Sequence, residues 1–165
     1  SIVVPCYNEE KNIPSLISAF SNAIGNENVE VIMVNNGSTD NSGDVLEKMK
    51  TQYPFISIVN IEVNEGYGHG IMTGLRMAQA DILGWTHADL QTDPKDVIKA
   101  YTLFQQQTDK GSCYVKGDRK GRALFDQFFT MGMSLFESLY LKTRLWDINA
   151  QPNIFHRSFH QNHGR

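Results

Sequence analysis

Short apolar runs alternate with longer stretches in which apolar residues recur every three or four positions, from one end of the chain to the other. This pattern is the signature of βαβ units and a mostly parallel sheet flanked by helices. Residues 1–5, Ser-Ile-Val-Val-Pro, read as a first strand that Pro5 ends, because proline has no N–H to give a ladder. Ile13, Leu16, Ile17 and Phe20 share one helical face, so 11–24 is predicted as an amphipathic helix closed near Gly25. Residues 29–34 return to strand, and Asn35-Asn36-Gly37-Ser38-Thr39-Asp40 is a turn cluster. A second helix is expected over 41–52 and a third strand over 56–61. Gly66, Gly68 and Gly70 lead into a third helix through Arg76 and Ala80. The strand at 81–86 runs into an acidic loop, His87-Ala88-Asp89-Leu90-Gln91-Thr92. Asp93-Pro94 then caps and starts a fourth helix, whose apolar face is Val97, Ala100, Tyr101 and Phe104. Residues 113–115 form a short strand, Gly117 to Arg122 a basic loop, and 123–146 a helix rich in Phe, Leu and Met.

Four predicted loops follow strand ends: residues 5–9, 35–40, 87–91 and 117–122. In a parallel sheet they share one rim, which is where open α/β sheets place their chemistry. Together they offer an aromatic ring and a carboxylate, an amide pair, a metal-ligand acid and a guanidinium. That inventory suits a nucleoside diphosphate carrying a further group, with a divalent metal and a cation on the phosphates.

Composition narrows the partners. The 165 residues are 41% hydrophobic and 20% charged, enough for one sizeable core, so a single domain over 1–165 is expected. A formal net charge of −3 gives no general electrostatic case for nucleic acid, so charge is read locally. Cys6 and Cys113 lie far apart, outside any CxxC spacing, and read as small buried hydrophobes of a reducing compartment. No apolar run reaches the ~18 residues of a spanning helix. Both ends look cut, since the chain opens inside a strand and stops without a terminating feature. The glycines at 66, 68 and 70 lack the GxGxxG order, sit on the third unit and precede no ribose-binding acid. They read as a turn packed against the neighbouring acidic loop, not as a dinucleotide fingerprint. His156, His160 and His163 have no carboxylate beside them and read as surface histidines.

The motifs Val4-Pro5-Cys6-Tyr7-Asn8-Glu9-Glu10, Val34-Asn35-Asn36-Gly37-Ser38-Thr39-Asp40, Asn64 with its glycines, Ala88-Asp89-Leu90-Gln91-Thr92-Asp93-Pro94, Gly117-Asp118-Arg119 and Asp147-Ile148-Asn149 occur in this order over nearly the whole chain. In them the chain resembles the family 2 glycosyltransferases of the GT-A fold. Within that family it resembles the dolichyl-phosphate mannosyltransferase-like and undecaprenyl-phosphate glycosyltransferase branch, here truncated at its C-terminal side. By this resemblance Pro5, Tyr7 and Glu9 are the first nucleotide contacts, and Val34 and Asn36 face the base. His87, Ala88 and Asp89 match the DxD motif, with Asp89 as ligand to Mg2+ or Mn2+ and Gln91 as a further ligand. Arg119 resembles the diphosphate-binding arginine, supported by Lys116, Lys120 and Arg122. Asp89 and Arg119 are thus the residues expected to carry catalysis.

Two departures stand out. Asn35-Asn36 replaces paired aspartates, so an amide that both donates and accepts stands where a carboxylate would read the base. His87 replaces the first acid of the DxD, leaving a borderline nitrogen that is able to ligate Mn2+, contact phosphate or ribose, or serve structure.

The resemblance implies an inverting transfer from a nucleotide-diphosphate sugar to a lipid-phosphate or glycan acceptor, in cell-envelope or glycan synthesis. The setting it implies is cytoplasmic, at the cytoplasmic face of a membrane. Any general base would come from beyond Arg165. The apolar face of 123–146 suits either a core helix or one in peripheral contact with a membrane. A nucleotide-binding module without turnover is the competing reading. A nucleotidyltransferase is a weaker one, since Cys6-Tyr7-Asn8-Glu9 stands where its glycine-rich phosphate loop would be.

Overall fold

The computed structural model describes residues 1–111, 113–117 and 150–159. Its elements in chain order are β1 (Ile2–Cys6), α1 (Ile13–Ile24), β2 (Val31–Asn36), α2 (Ser42–Gln52), β3 (Ile56–Ile61), α3 (Tyr67–Met77), β4 (Ile82–Trp85), α4 (Pro94–Gln105), β5 (Tyr114–Lys116) and β6 (Asn153–His156). The strands form one sheet in the order β3-β2-β1-β4-β6-β5. The first four strands are parallel, as the alternation of elements predicts, whereas β6 runs antiparallel between β4 and β5. The sheet is therefore mixed. β6 was not predicted from the sequence, because four residues behind a proline carry too little periodicity to announce a strand whose pairing is entirely non-local.

Each helix is placed by the stripe it must bury. Ile13, Leu16, Ile17, Phe20 and Ile24 put one face of α1 against the sheet, and Gly25, at φ +55°, ends it. With Leu46 of α2 and Val97, Ala100 and Phe104 of α4 they form the larger core on one side of the sheet. The other side is covered by α3 through Leu75, packed with Val3, Ile32, Val34, Leu83 and Phe155. The direction of strand order explains this division. β1 to β2 to β3 steps one way, and the return from β3 to β4 steps the other. Right-handed crossovers then force α3 onto the opposite face. Gly74 permits the close approach, since a Cβ there would lie 2.3 Å from Val3 Cγ1 and 2.9 Å from Val34 Cγ2.

Several expected boundaries move for identifiable reasons. Pro5 does not end β1; the strand continues to Cys6. In and just before β1 the odd-numbered residues bond on the β4 side (Gly84 N–H to Ser1 O, Thr86 N–H to Val3 O), whereas Ile2 bonds on the β2 side, to Glu30 O. The N–H that Pro5 lacks would face the β4 side, where β4 has already ended at Trp85. β2 occupies 31–36 rather than 29–34, because Asn35 and Asn36 pair with Asn60 and Ile61, and the Asn35 Nδ2 donates to Asn60 Oδ1 at 3.1 Å. α3 stops at Met77 rather than Ala80. Ala78 is extended, and Arg157 donates to the Ala78 and Ala80 carbonyls at 2.7 Å each, satisfying the chain where the helix has ended. The predicted cap of α4 is present, with Asp93 Oδ1 accepting from Lys95 N–H at 2.9 Å. The basic residues Arg119, Lys120 and Arg122, the predicted helix over 123–146, Asp147 to Asn149, and His160 and His163 lie outside the described residues.

Candidate active site

Parallel pairing brings the carboxyl ends of β1 to β4 to one edge of the sheet. Because β5 is antiparallel to β6, and β6 to β4, the end of β5 arrives there too. Between β1 and β4 the strand order reverses, which opens a crevice where ligands of such sheets are held.

The loops around that crevice are joined by side chains. After β1, Asn8 adopts φ +57°, a left-handed conformation that asparagine tolerates better than most residues. Its Oδ1 accepts from Thr39 N–H at 2.8 Å and Asp40 N–H at 3.3 Å, while its own N–H donates to Ser38 Oγ at 3.1 Å. Glu9 N–H donates to Ser42 Oγ at 2.9 Å, and Glu10 N–H to Asp40 Oδ2 at 3.2 Å. Asp40 Oδ1 also accepts from Ser42 N–H at 2.9 Å. Burial pushes the Asp40 carboxyl up, but the Ser42 and Glu10 bonds outweigh it and hold the group below its ordinary value. The turn after β2 is thus locked to the turn after β1. Gly37, at φ +69°, faces the next loop so closely that a Cβ would lie 2.4 Å from Asn64 N.

Asn36, almost wholly buried at the end of β2, continues the chain of contacts. Its Nδ2 donates to Gly66 O at 3.0 Å and Asn64 Oδ1 at 3.3 Å, whereas its Oδ1 is buried with no partner. The glycine turn therefore packs over β2 and β1. A Cβ on Gly70 would meet Pro5 Cβ at 3.1 Å and Asn36 Nδ2 at 3.2 Å. The expected packing of this turn against the acidic loop is made instead by Tyr67, whose ring stacks on His87 with centroids 4.7 Å apart and planes 7° apart. Burial raises the Tyr67 hydroxyl well above its ordinary value, with Asp89 and then Cys6 adding to the shift.

The predicted residues are distributed unevenly over this rim. Tyr7 is exposed (47%) beside the crevice, Pro5 is buried beneath it, and Glu9 accepts from Asn12 Nδ2 at 2.6 Å at the start of α1. The side chain of Val34 is fully buried under α3, so only its backbone lies near the strand end. His87 and Asp89 are half-buried, Ala88 is buried in the larger core, and Gln91 is exposed. Asp89 Oδ1 accepts from Gln91 N–H at 3.0 Å, and Leu90 takes φ +61° between them, so the acidic loop is a tight turn that carries the carboxylate on its shoulder. Lys116 ends β5 on the same rim, and Gly117 N–H donates to Pro152 O at 2.8 Å.

Three residues that matter here were not singled out from the sequence. Tyr67 was hidden among glycines, whereas Asn8 and Asp40 sit in turn-prone contexts that favour bracing. Of the cysteines, Cys6 is buried as expected, with its thiol pushed up by burial and by Glu9, and Cys113 is only half-buried.

The model of the family described as "Glycosyl transferase family 2" matches residues 1–162. The chain belongs to that family. Among its relatives, a dolichol-phosphate mannosyltransferase of Pyrococcus furiosus is 28% identical over 121 residues, 72% of this chain and 34% of that protein. An undecaprenyl-phosphate 4-deoxy-4-formamido-L-arabinose transferase of Pseudomonas syringae is 31% identical over 115 residues, 66% of this chain and 33% of that protein. These are the two branches whose motifs the sequence resembles. A mannosyltransferase from Pyrobaculum calidifontis, solved in complex with GDP-Man and Mn2+, superposes with a TM-score of 0.72 at 20% identity, over 99% of this chain and 46% of that one. The fold of this family 2 member is thus the GT-A fold. The chain spans about a third of the length of the curated relatives it matches.

Proposed function

We propose that this family 2 chain is the donor-binding part of an inverting glycosyltransferase that moves a sugar from a nucleoside diphosphate to an acceptor. The observation that carries this reading is the convergence of Tyr7, Asn36, His87 and Asp89 on the rim around the β1–β4 crevice, in a chain matched to the family over 1–162.

In this reading Tyr7 and Glu9 border the nucleoside. The Oδ1 of Asn36 is buried without a partner, which costs about 1–3 kcal/mol, and it is an acceptor that an N–H of the base would satisfy only if the Gly66 turn bonded to the same side chain moved aside. Both uracil and guanine carry such an N–H, so the amide does not choose between them.

Mg2+ and Mn2+ bind through one or two carboxylates and complete their shells with substrate phosphate and water. The residues present fit that mode. Among the described residues no group of three His, Cys, Asp or Glu forms a cage, while Asp89 offers a carboxylate at the strand end with Gln91 and His87 on either side. Asp89 would hold the ion, which neutralises charge building on the departing diphosphate. Arg119, outside the described residues, is assigned the same task, with Lys116 adding positive charge at the end of β5. Preorganised charge of this kind is commonly the largest contribution to such transfers.

The names of the relatives point to a polyprenyl phosphate as acceptor. Its second pKa near ~6 leaves it ionised and in little need of a base, unlike a hydroxyl acceptor. The reaction belongs at the cytoplasmic face of a membrane, in glycan or envelope synthesis. No described helix is long and apolar enough to cross a membrane.

The test is a thermal-shift titration with UDP, GDP and their sugar conjugates, with and without Mn2+. At least one diphosphate is expected to raise Tm only when metal is present. No metal-dependent stabilisation by any of them would sink the site assignment.

A further inference from the structure

Tyr67 opens α3, the helix that lies beneath β1 and β2, yet its ring is laid parallel to an imidazole that belongs to the loop after β4. The pair therefore bridges the point where the strand order reverses. Face-to-face contact at 4.7 Å and 7° constrains one property above others, the plane of the imidazole. The terminal torsion of a histidine is otherwise broad. With one face covered by Tyr67, tilting the ring out of that plane would break the stack, so the imidazole edge is confined to one plane, in either of the two orientations that a half-turn of the ring exchanges. That edge has a chemical meaning at this position. A carboxylate would repel a phosphate oxygen unless a cation stood between them, whereas an imidazole N–H donates to it directly. Asp89, two residues on, keeps the carboxylate role.

We propose that Tyr67 is a positioning residue whose ring fixes the His87 imidazole at the β1–β4 crevice, so that the imidazole edge donates to a diphosphate oxygen of the nucleotide. This inference rests on the donor-site reading given above and adds to it a second residue from a different βα unit. It makes the site dependent on the packing of α3 as well as on the acidic loop.

The experiment combines binding with a signal from the imidazole itself. The His87 Hε1 resonance, assigned as the one missing in His87→Ala, is expected to be shifted upfield by the Tyr67 ring current in the unmodified protein and in Tyr67→Phe. It is expected at an ordinary position in Tyr67→Leu, and to move when UDP or GDP is added to saturation. Affinity for the preferred diphosphate should stay within about twofold in Tyr67→Phe and fall roughly 3- to 10-fold in Tyr67→Leu, the range of one aromatic pair. The double variant Tyr67→Leu/His87→Ala should bind no more weakly than His87→Ala alone, since both changes remove the same contact.

Wild-type affinity in Tyr67→Leu, additive losses in the double variant, or a His87 resonance that lacks the upfield shift or ignores saturating diphosphate would each overturn the proposal. The upfield shift is read on the unmodified protein and needs no variant to fold. Absence of any diphosphate binding in the unmodified protein would instead bring down the donor-site reading, with the ring-current shift still reporting whether the clamp exists.

Discussion

Asp89 and His87 stand two residues apart and are suited to different partners, one to a hard cation and the other to a phosphate oxygen. Their substitutions should therefore diverge. Asp89→Asn is expected to abolish metal-dependent nucleotide binding, while His87→Asp should preserve or strengthen binding with Mn2+, where the ion stands between two acids and the phosphate, and weaken it without Mn2+, where the imidazole donor is lost; calorimetric titration with and without Mn2+ distinguishes them. If Asp89→Asn binds as well as the parent, the metal is held elsewhere. Asp40 supplies a second residue-scale expectation. Its carboxyl is held below the ordinary value in the fold, so its contribution to stability is present above the unfolded pKa of about 4. That contribution is lost as pH falls through the lower, folded value. Urea midpoints of the parent and Asp40→Asn should differ above pH ~5 and converge as the pH drops below ~4. A constant gap would mean that the carboxylate charge plays no part in bracing the two turns. Both acids are visible in the sequence, but only Asp89 is assigned a role there, because a strand-end acid draws attention by position whereas a brace is defined by the backbone N–H groups it meets.

At the level of elements, the sequence was readable wherever burial followed a simple period. The apolar stripes of α1 and α4, the Asp93 cap and the run of four parallel strands all rest on local pattern. What escaped depended on partners distant in the chain. β6 is defined by β4 and β5, the end of α3 by Arg157, and the course of β1 through Pro5 by where β4 stops. Likewise Tyr67 was unremarkable until α3 laid it on His87. The seat of α3 is itself testable. Gly74→Val would place a branched side chain where even a Cβ comes within 2.3 Å of Val3 Cγ1. Overpacking of this kind costs about 1–3 kcal/mol, and the loss should appear in chemical denaturation. Because α3 also carries Tyr67, nucleotide affinity should fall with it. Undiminished stability would show that helix and sheet part more easily than their packing suggests.

Across the whole molecule, a chain with net charge −3 is read as receiving an anionic donor. On that reading attraction comes from the rim itself, from a cation on Asp89 and from Lys116 at the end of β5, and not from the protein's overall field. The sheet is also uneven in depth. β1 is wholly buried between two parallel neighbours, the six-residue β2 and the four-residue β4, while β5 is a three-residue edge strand. Amide hydrogen exchange should accordingly be slowest in β1 and β2 and fastest among the strands in β5; equal protection throughout would argue against this hierarchy. One contact at that weak edge reaches further. The Gly117 N–H meets the Pro152 carbonyl, so the residue after β5 and the residue before β6 lie side by side although they are far apart in the chain. The free-energy cost of closing a loop grows only with the logarithm of its length. Lineages could thus lengthen or shorten the chain between these two residues without shifting the register of a single strand, provided that the arginine assigned to the diphosphate is kept.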